Sequence, residues 1–531
     1  MRFVPSLIIL LALIASLSLL ASGQMLVGAI LSGLFGFLVI VIVWQFFQPK
    51  HSLLRNYPIT GFFRYLAEEL RPMVQQYFVE NDIDGAPFSR RERDVIYRRA
   101  KNVEDNEPFG TELDVYNEHY EWMNHSIIAR EKAKSPTTVL VGNQQCSQPY
   151  ESSPLNISAM SFGSLGQNAI LALNKGAKQG GFAHNTGEGG ISRYHREHGG
   201  DLIWELGTGY FGCRAKNGAF DPEAFRDQSA SSQVKMIELK ISQGAKPGKG
   251  GMLPGAKVTA EVAEARGIAI GQDCDSPSSH REFNTPIQML EFIAKLRELS
   301  GGKPVGFKLC IGHRWEFMAI CKAMLETGIH PDYIVIDGAE GGTGAAPPEF
   351  PAHVGTPLRE GLLFARNVLN GTNLKQHVKL AAAGKITTGF RMASNMALGA
   401  DFCYSARGFM FSLGCLQSQA CHTGHCPTGV ATQAPLRQRA LDVNDKANRV
   451  YNFHRHTVDA LSNILAAVGV EDSHQLRPEH LFHRSYQHGA EDWRKHYSWL
   501  EAGELLEEGE SNLLYRKDWA ISRADSFAAK F

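Results

Sequence analysis

The stretch Val378-Lys-Leu-Ala-Ala-Ala-Gly384-Lys385-Ile-Thr-Thr-Gly389-Phe-Arg-Met-Ala-Ser-Asn-Met-Ala-Leu398-Gly-Ala-Asp-Phe402-Cys-Tyr-Ser405-Ala406-Arg407-Gly408 reads as strand, tight turn, helix, strand, tight turn. Val378 to Ala382 and Phe402 to Ser405 are short apolar runs, whereas Gly389 to Leu398 carries its apolar residues at helical spacing. Two strands joined by a helix run parallel, because the helix must cross one face of the sheet before the chain re-enters it. The same unit recurs upstream. Met236 to Ile241, Val305 to Cys310 and Tyr333 to Ile336 are strand candidates, with helix patterns at Pro286 to Leu299, Glu316 to Glu326 and Pro357 to Leu369. Such alternation between about residues 150 and 435 predicts an α/β fold with a parallel sheet buried on both faces. Its length suits a closed (β/α)8 TIM-type barrel with insertions, and no G-x-G-x-x-G fingerprint follows a strand at its start to favour a doubly wound sheet.

Outside the barrel the composition changes. Phe3 to Pro49 contains no charged residue and is about twice the ~20 residues that span a bilayer as helix. It predicts a transmembrane hairpin over 1–49, with helices Val4 to Ala21 and Met25 to Phe46 and a turn at Ser22-Gly23-Gln24. Arg2 and the amino terminus flank one end and Lys50, His51 and Arg55 the other, so the positive-inside tendency puts both ends, and the rest of the chain, in the cytoplasm at the inner (cytoplasmic) membrane. A cleaved signal peptide ending near Ala21-Ser22-Gly23 is the alternative. Residues 50–149, with Arg64-Tyr65, Arg71-Pro72 and Arg90-Arg91-Glu92-Arg93, read as a mostly helical connector, amphipathic from Phe62 to Tyr77. Its basic residues suit lipid headgroups or, as commonly, a solvated helix face. Residues 436–531 read as a polar, mostly helical segment without evident chemistry, packed over the barrel, with Val458 to Val468 its clearest apolar helix.

Over 531 residues, Lys plus Arg and Asp plus Glu balance at 54 each, so no global field is present to hold nucleic acid. Nine cysteines in such a chain do not make a disulfide scaffold. Three of them instead fall in Gly414-Cys415-Leu-Gln-Ser-Gln-Ala-Cys421-His-Thr-Gly-His-Cys426-Pro427. Thiolates bind iron-sulfur clusters, and three of them in one loop suit a three-iron cluster. Zinc on Cys415, Cys421, Cys426 and either His422 or His425, or three unrelated core thiols, are the other readings. Cys146, Cys213, Cys274, Cys310, Cys321 and Cys403 lack such spacing and read as buried small hydrophobes.

Further candidates follow from where polar residues interrupt the pattern. The turns at Gly384-Lys385 and Ala406-Arg407 follow the last two strand candidates, where barrels commonly offer backbone N–H groups to a phosphate; tight turns alone would look the same. Lys308 interrupts the apolar run Val305 to Cys310, so its ammonium needs a partner or a polar cavity; a barrel mouth, with the cation near a flavin ring, is one reading and a strand-end lysine reaching water the other. The glycine-rich loops Asn185 to Gly190, Gln243 to Gly251 and Asp337 to Gly344 each bear isolated charges that would orient a ligand. Arg266, on the helix pattern Val258 to Arg266, and Lys246 together suit a dicarboxylate, although each alone is more often a surface charge.

Taken together, these residues resemble the FMN-binding synthase domain of glutamate synthase, from about Leu155 to Gln433. The resemblance is carried by Ser158-Ala-Met-Ser-Phe-Gly163, Asn185 to Gly190, Gln243 to Gly251, Gly341 to Gly344 and C-x5-C-x4-C-P with Thr428-Gly-Val-Ala-Thr-Gln433. It implies a barrel holding FMN beside a three-iron, four-sulfur (3Fe-4S) cluster on Cys415, Cys421 and Cys426, converting 2-oxoglutarate and ammonia through 2-iminoglutarate to L-glutamate. It further implies that Ala159, Met160 and Ser161 lie along the flavin, that Gln243, Gly341, Gly342 and Lys308 line it, and that Gly384, Ala406 and Arg407 hold its phosphate. Glu188, Lys246 and Arg266 match the family's substrate-site positions, the last two as carboxylate binders and Glu188 as a polar contact and proton donor or acceptor.

Departures from the family pattern carry expectations of their own. Gly248-Lys249-Gly-Gly-Met252 stands where the family has Gly-Glu-Gly-Gly-Gln, so a substrate hydrogen bond is replaced by an apolar side chain. The chain begins Met1-Arg2-Phe3 rather than with the family's glutaminase cysteine, and neither a nicotinamide-binding half nor a glycine-periodic β-helix is visible. Ammonia and electrons are therefore expected from elsewhere, the latter from a ferredoxin or a reductase subunit. The alternatives are a subunit of an N-methylglutamate synthase-like transferase and a non-catalytic electron relay in a membrane complex.

Overall fold

A computed structural model describes residues 3–134, 137–486 and 489–531, so Arg2, invoked above for topology, lies outside the described residues. The chain divides into two units, Met1–Arg91 and Glu92–Phe531.

In the first unit, α1 (Val4–Ala21) and α2 (Met25–Phe47) are joined by the expected three-residue turn, where Gly23 takes φ +91°. Both helices are long and apolar enough to cross a membrane. They touch at Gly28, where a Cβ would lie 2.7 Å from the Leu20 backbone nitrogen, and through the Ser32 hydroxyl donating to Ser16 at 3.0 Å. Small residues at a helix crossing let two backbones approach without side-chain loss. A helix at Phe62–Val74 follows and leaves Phe62, Phe63, Leu66, Leu70 and Met73 exposed.

The connector expected to be mostly helical is helical only as far as Lys101, at the end of Arg90–Lys101. Beyond it the chain is largely irregular, with short strands at Glu121–Met123 and Val139–Val141. Asn102, Asp105, Asn106, Pro108, Gly110, Asp114 and Asn117 crowd this stretch, and such residues compete for or withhold the backbone hydrogen bonds a helix needs.

The second unit is built on a closed barrel of eight parallel strands: β1 (Leu155–Ile157), β2 (His184–Asn185), β3 (Leu202–Leu206), β4 (Val234–Lys240), β5 (Val305–Leu309), β6 (Tyr333–Asp337), β7 (Lys379–Ala383) and β8 (Phe402–Ser405). β8 closes the ring on β1 through Ser405 opposite Ile157. The five strands legible as apolar runs appear within about two residues of their expected bounds. β1 and β2 are two or three residues long and had no such signature, whereas β3, Leu202-Ile-Trp-Glu-Leu206, carries one that was passed over. Val139–Val141 pairs with Tyr150–Ser152, and Val139 and Val141 pack with Met236, Tyr333, Ala381 and Phe402 in the barrel core. Between these two strands, Asn143 N–H donates to Asp332, just before β6, at 2.8 Å. This hairpin plugs the N-terminal end of the barrel and leaves the C-terminal end as the mouth.

The carboxyl-terminal segment covers the outside. α4 (Val443–Val468), capped by Asp442 accepting from the Asp445 N–H, is longer than the expected Val458 to Val468 because its first half also buries Ala447, Val450 and Phe453. It packs on α3 (Gln167–Gly180) so closely that a Cβ on Gly176 would lie 2.6 Å from Val450 Cγ1. The segment is not only helical: Leu481–Ser485 and Gly489–Asp492 join Glu121–Met123 in a three-stranded antiparallel sheet.

Candidate active site

The loops leaving β1, β2, β3 and β4 meet at the barrel mouth, where catalytic groups of such barrels gather. Glu188, after β2, is their centre. Its Oε1 is 3.0 Å from Nζ of Lys240, the last residue of β4. Burial works against its charge, but Lys240, Arg266 and Lys246 outweigh burial and hold the carboxyl below the usual range. Gly207 and Gly251 make room for it: a Cβ on Gly251 would lie 2.5 Å from Glu188 Oε1, and one on Gly207 2.8 Å from Glu188 Cβ. Lys246 is buried in the loop after β4, and burial lowers its pKa.

Arg266 arrives from a short helix, Ala260–Arg266, that begins two residues later than expected because Thr259 caps it, and that Gly267 ends at φ +65°. Its Nη2 donates to the Phe162 carbonyl at 3.3 Å and to Ser161 Oγ at 3.4 Å, and its guanidinium lies 5.2 Å from the Phe211 ring centroid. Cys274, expected to be an inert core thiol, accepts from Arg266 Nη1 at 3.9 Å, and Arg266 Nε is buried without a hydrogen-bond partner. Thus the three residues expected to handle substrate converge, and Ser161, expected beside a flavin, touches one of them. Met252, by contrast, is 42% exposed, although it follows the Gly251 that abuts Glu188.

Below the mouth Lys308 is 3% exposed and does not reach water, which removes the strand-end reading. On β5, its Nζ bonds Glu205 of β3 and lies 3.3 Å from Glu238 Oε1 of β4. Asn185 of β2 donates to Glu238 Oε1 at 2.9 Å. Burial opposes Lys308's charge, yet the two carboxylates hold its ammonium well above the lysine range. Burial, with Glu205 alongside, pushes the Glu238 carboxyl up to about 8. Four neighbouring strands thereby share one polar network that fixes the lysine within the barrel.

The phosphate candidates lie side by side because β7 and β8 pair through Ala383 and Tyr404. Gly384 takes φ +151°, and Arg407 Nη2 donates to the Glu340 carbonyl at 2.7 Å. A Cβ on Gly342 would lie 2.9 Å from Arg407 Cδ, so the β6 and β8 loops meet there. Gln243 Nε2 lies 3.4 Å from Thr343 Oγ1, and a Cβ on Gly244 would fall 1.7 Å from the Gly338 carbonyl oxygen, which ties the β4 and β6 loops together.

The cysteine loop follows β8 and leans on the β1 loop. Gly166 N–H donates to Val430 O at 2.9 Å, and Gln433 Nε2 donates to Gly163 O and Leu165 O at 3.1 and 2.9 Å. Lys257, just before the Arg266 helix, donates to Cys421 O at 2.6 Å. Burial would raise the Cys426 thiol, but backbone N–H groups around Ala431, Thr428 and Val430 hold it below the usual value. Burial pushes Cys415 up to about 11. Among the other cysteines, Cys213, Cys274, Cys310, Cys321 and Cys403 are buried as expected, whereas Cys146 is half-buried with its thiol donating to Gly302 O at 3.2 Å.

Lys240, Glu205 and Glu238 escaped the sequence reading although all are strand residues. A charge inside an apolar strand run was the available signal, as for Lys308. His280 escaped it too: its Nε2–H donates to the Lys240 carbonyl at 2.8 Å, its Nδ1 accepts from the Tyr210 hydroxyl at 3.0 Å, and burial lowers its pKa to about 4.

Residues 95–471 match the conserved region in glutamate synthase. The chain is 37% identical to the glutamate synthase large subunit-like protein YerD of Bacillus subtilis, over 86% of this chain and 95% of that protein. It is 35% identical to the archaeal-type NADPH glutamate synthase of Thermotoga neapolitana, over 61% of each chain.

Proposed function

The chain belongs to the glutamate synthase family, and from that premise we propose that it is a membrane-anchored FMN and iron-sulfur oxidoreductase that reduces the imine of 2-oxoglutarate and ammonia to L-glutamate. The observation that carries this reading is the convergence of Glu188, Lys246 and Arg266 at one mouth, with a buried unpartnered Arg266 Nε beside it. The residues present suit both implied groups. Loops pinched at Gly187, where a Cβ would lie 2.6 Å from the Ser161 nitrogen, and at Gly342 bring backbone close to a flat ligand. Ala159, Met160, Ser161, Gln243, Gly341, Gly342 and Lys308 would hold the flavin, and Gly384, Ala406 and Arg407 its phosphate. The cysteine set suits a 3Fe-4S cluster better than a single zinc. A tetrahedral zinc brings its sulfur ligands to about 3.8 Å of one another. Cys415, Cys421 and Cys426 are not among the described groups whose ligand atoms all lie within 4.8 Å.

When bound, FMN supplies hydride to the imine carbon and the cluster relays single electrons from a separate donor protein. The chain's own residues bind, orient and handle the proton. Arg266 and Lys246 take the two carboxylates of the substrate. Glu188, held ionised by its three cations, accepts hydrogen bonds rather than donating a proton, and keeps Lys240 out of the carboxylate site. Burial lowers the pKa of Lys246, which makes its ammonium, seated on a substrate carboxylate, a readier proton donor than a solvent-exposed lysine. α1 and α2 tether the barrel on the cytoplasmic side of the membrane.

The test is an anaerobic absorbance spectrum of detergent-purified protein, photoreduced and then given 2-oxoglutarate with ammonium. Flavin and cluster bands, followed by reoxidation with glutamate formed, are expected. A well-folded preparation without those bands, or one that stays reduced while no glutamate forms, overturns the proposal.

A further inference from the structure

Among the described residues, one group of three metal-ligating side chains has its ligand atoms within 4.8 Å of one another: His483, Glu491 and His496. All three belong to the carboxyl-terminal segment, far in sequence from the barrel-mouth residues. The fold brings them together by register. His483 lies directly opposite Glu491 across the antiparallel pair Leu481–Ser485 and Gly489–Asp492, so both side chains share one face, and the helix Trp493–His496 brings His496 back over that face.

We propose that these residues form a zinc site that fastens this hairpin to its helix. Two imidazoles and one carboxylate are a ligand set that zinc takes with a fourth, open position. His483 Nε2 is 3.8 Å from Glu491 Oε1 and His496 Nδ1 is hydrogen-bonded to it at 2.8 Å; tetrahedral bonds of 2.0 to 2.1 Å place such ligand atoms about 3.4 Å apart, so an ion would replace that hydrogen bond with a small opening of the pair. A second, independent observation points to a missing ligand. His483 is only 8% exposed, yet neither of its ring nitrogens has a hydrogen-bond partner, a costly state for a buried polar ring. The nearby cations are engaged elsewhere: Arg359 pairs with Glu121 and stacks 4.3 Å over the Trp493 ring, and Lys495 lies 3.8 Å from Asp492. A cavity of about 860 Å³, lined in part by Glu121, His483, Glu491 and His496, leaves space at the fourth position for water.

The experiment uses full-length detergent-purified protein, dialysed against zinc chloride and then metal-free buffer, with zinc counted by mass spectrometry. About one zinc per chain is expected. It should disappear in His496→Ala and, with the side chain's size kept, in Glu491→Gln, and persist in Cys421→Ser. Added zinc should also raise the Tm of the wild type and leave that of both variants unmoved. Equal zinc in wild type and both variants, no retained zinc in the wild type, or zinc lost only with Cys421→Ser each overturns the proposal. The circular dichroism of each variant shows whether it folds, and Glu491→Gln carries the test if His496→Ala does not.

Discussion

Removing the charge of Lys308 while keeping its apolar stem, as in Lys308→Met, tests the network beneath the mouth. Above about pH 8, where Glu238 is ionised, an ammonium 3.3 Å from its Oε1 gains about 5 kcal/mol from that contact at an effective dielectric of about 20. Desolvation of the lysine consumes part of this, but the mutant leaves two carboxyls, Glu205 and Glu238, buried against each other. Breaking a buried pair in this way costs about 3–5 kcal/mol. For a unit of about 440 residues, an unfolding entropy near 2.1 cal/mol/K per residue makes that a fall in Tm of roughly 3–5 °C. The pH dependence has a definite sign. Glu238 has a folded pKa of about 8, above its unfolded value, so the stability it contributes is complete below its unfolded pKa and is lost as pH rises through about 8. Without the lysine the Glu238 carboxyl is pushed higher still, so this loss continues beyond pH 8 and the gap between variant and wild type widens from pH 7 to pH 9. Adding Glu205→Gln should recover part of it, because Glu238 keeps the Asn185 amide at 2.9 Å. Thermal unfolding followed by circular dichroism, with flavin content measured alongside, decides the matter. A Tm within about 1 °C of wild type at both pH values, with flavin unchanged, would refute the reasoning.

Cys421→Ser is expected to remove most iron and the cluster's visible absorbance while leaving the barrel folded, as metal analysis and circular dichroism would show. Arg266→Lys keeps a charge but loses the planar fork that reaches Phe162 O and Ser161. An increase in KM for 2-oxoglutarate of about tenfold or more, with a smaller change in kcat, is the expected kinetic outcome. Gly244→Ala would set a Cβ 1.7 Å from the Gly338 carbonyl, backbone against backbone, so the loop must shift. We expect a loss of about 3 kcal/mol, read as a lower Tm, together with weakened flavin retention.

The barrel's second half, the hairpin and the cysteine loop were legible because each is written in local sequence. β5, β6 and β8 are unbroken apolar or β-branched runs apart from Lys308 and the terminal Asp337 and Ser405, α1 and α2 are uncharged throughout, and Cys415 to Pro427 lies within one loop. β2 offered no such signal: two residues, His184 and Asn185, become a strand only because the ring must close between β1 and β3. The apolar pattern likewise marked Lys308 as anomalous but could not name its partners, since Glu205 precedes it by 103 residues and meets it only across the closed barrel.

His483, Glu491 and His496 make the same point more sharply. In a polar carboxyl-terminal segment nothing set them apart, and strand register with one following helix brought them together, with His483 buried, Glu491 half-buried and His496 exposed. Local periodicity reports which face of an element is apolar, and that is enough to set secondary structure and much of the fold class. Which charges face one another depends on pairing and closure between segments remote in sequence. The presence of Glu188, Lys246 and Arg266 was therefore evident from the chain alone, while the pairing of Glu188 with Lys240, and the network around Lys308, were settled only by the tertiary structure.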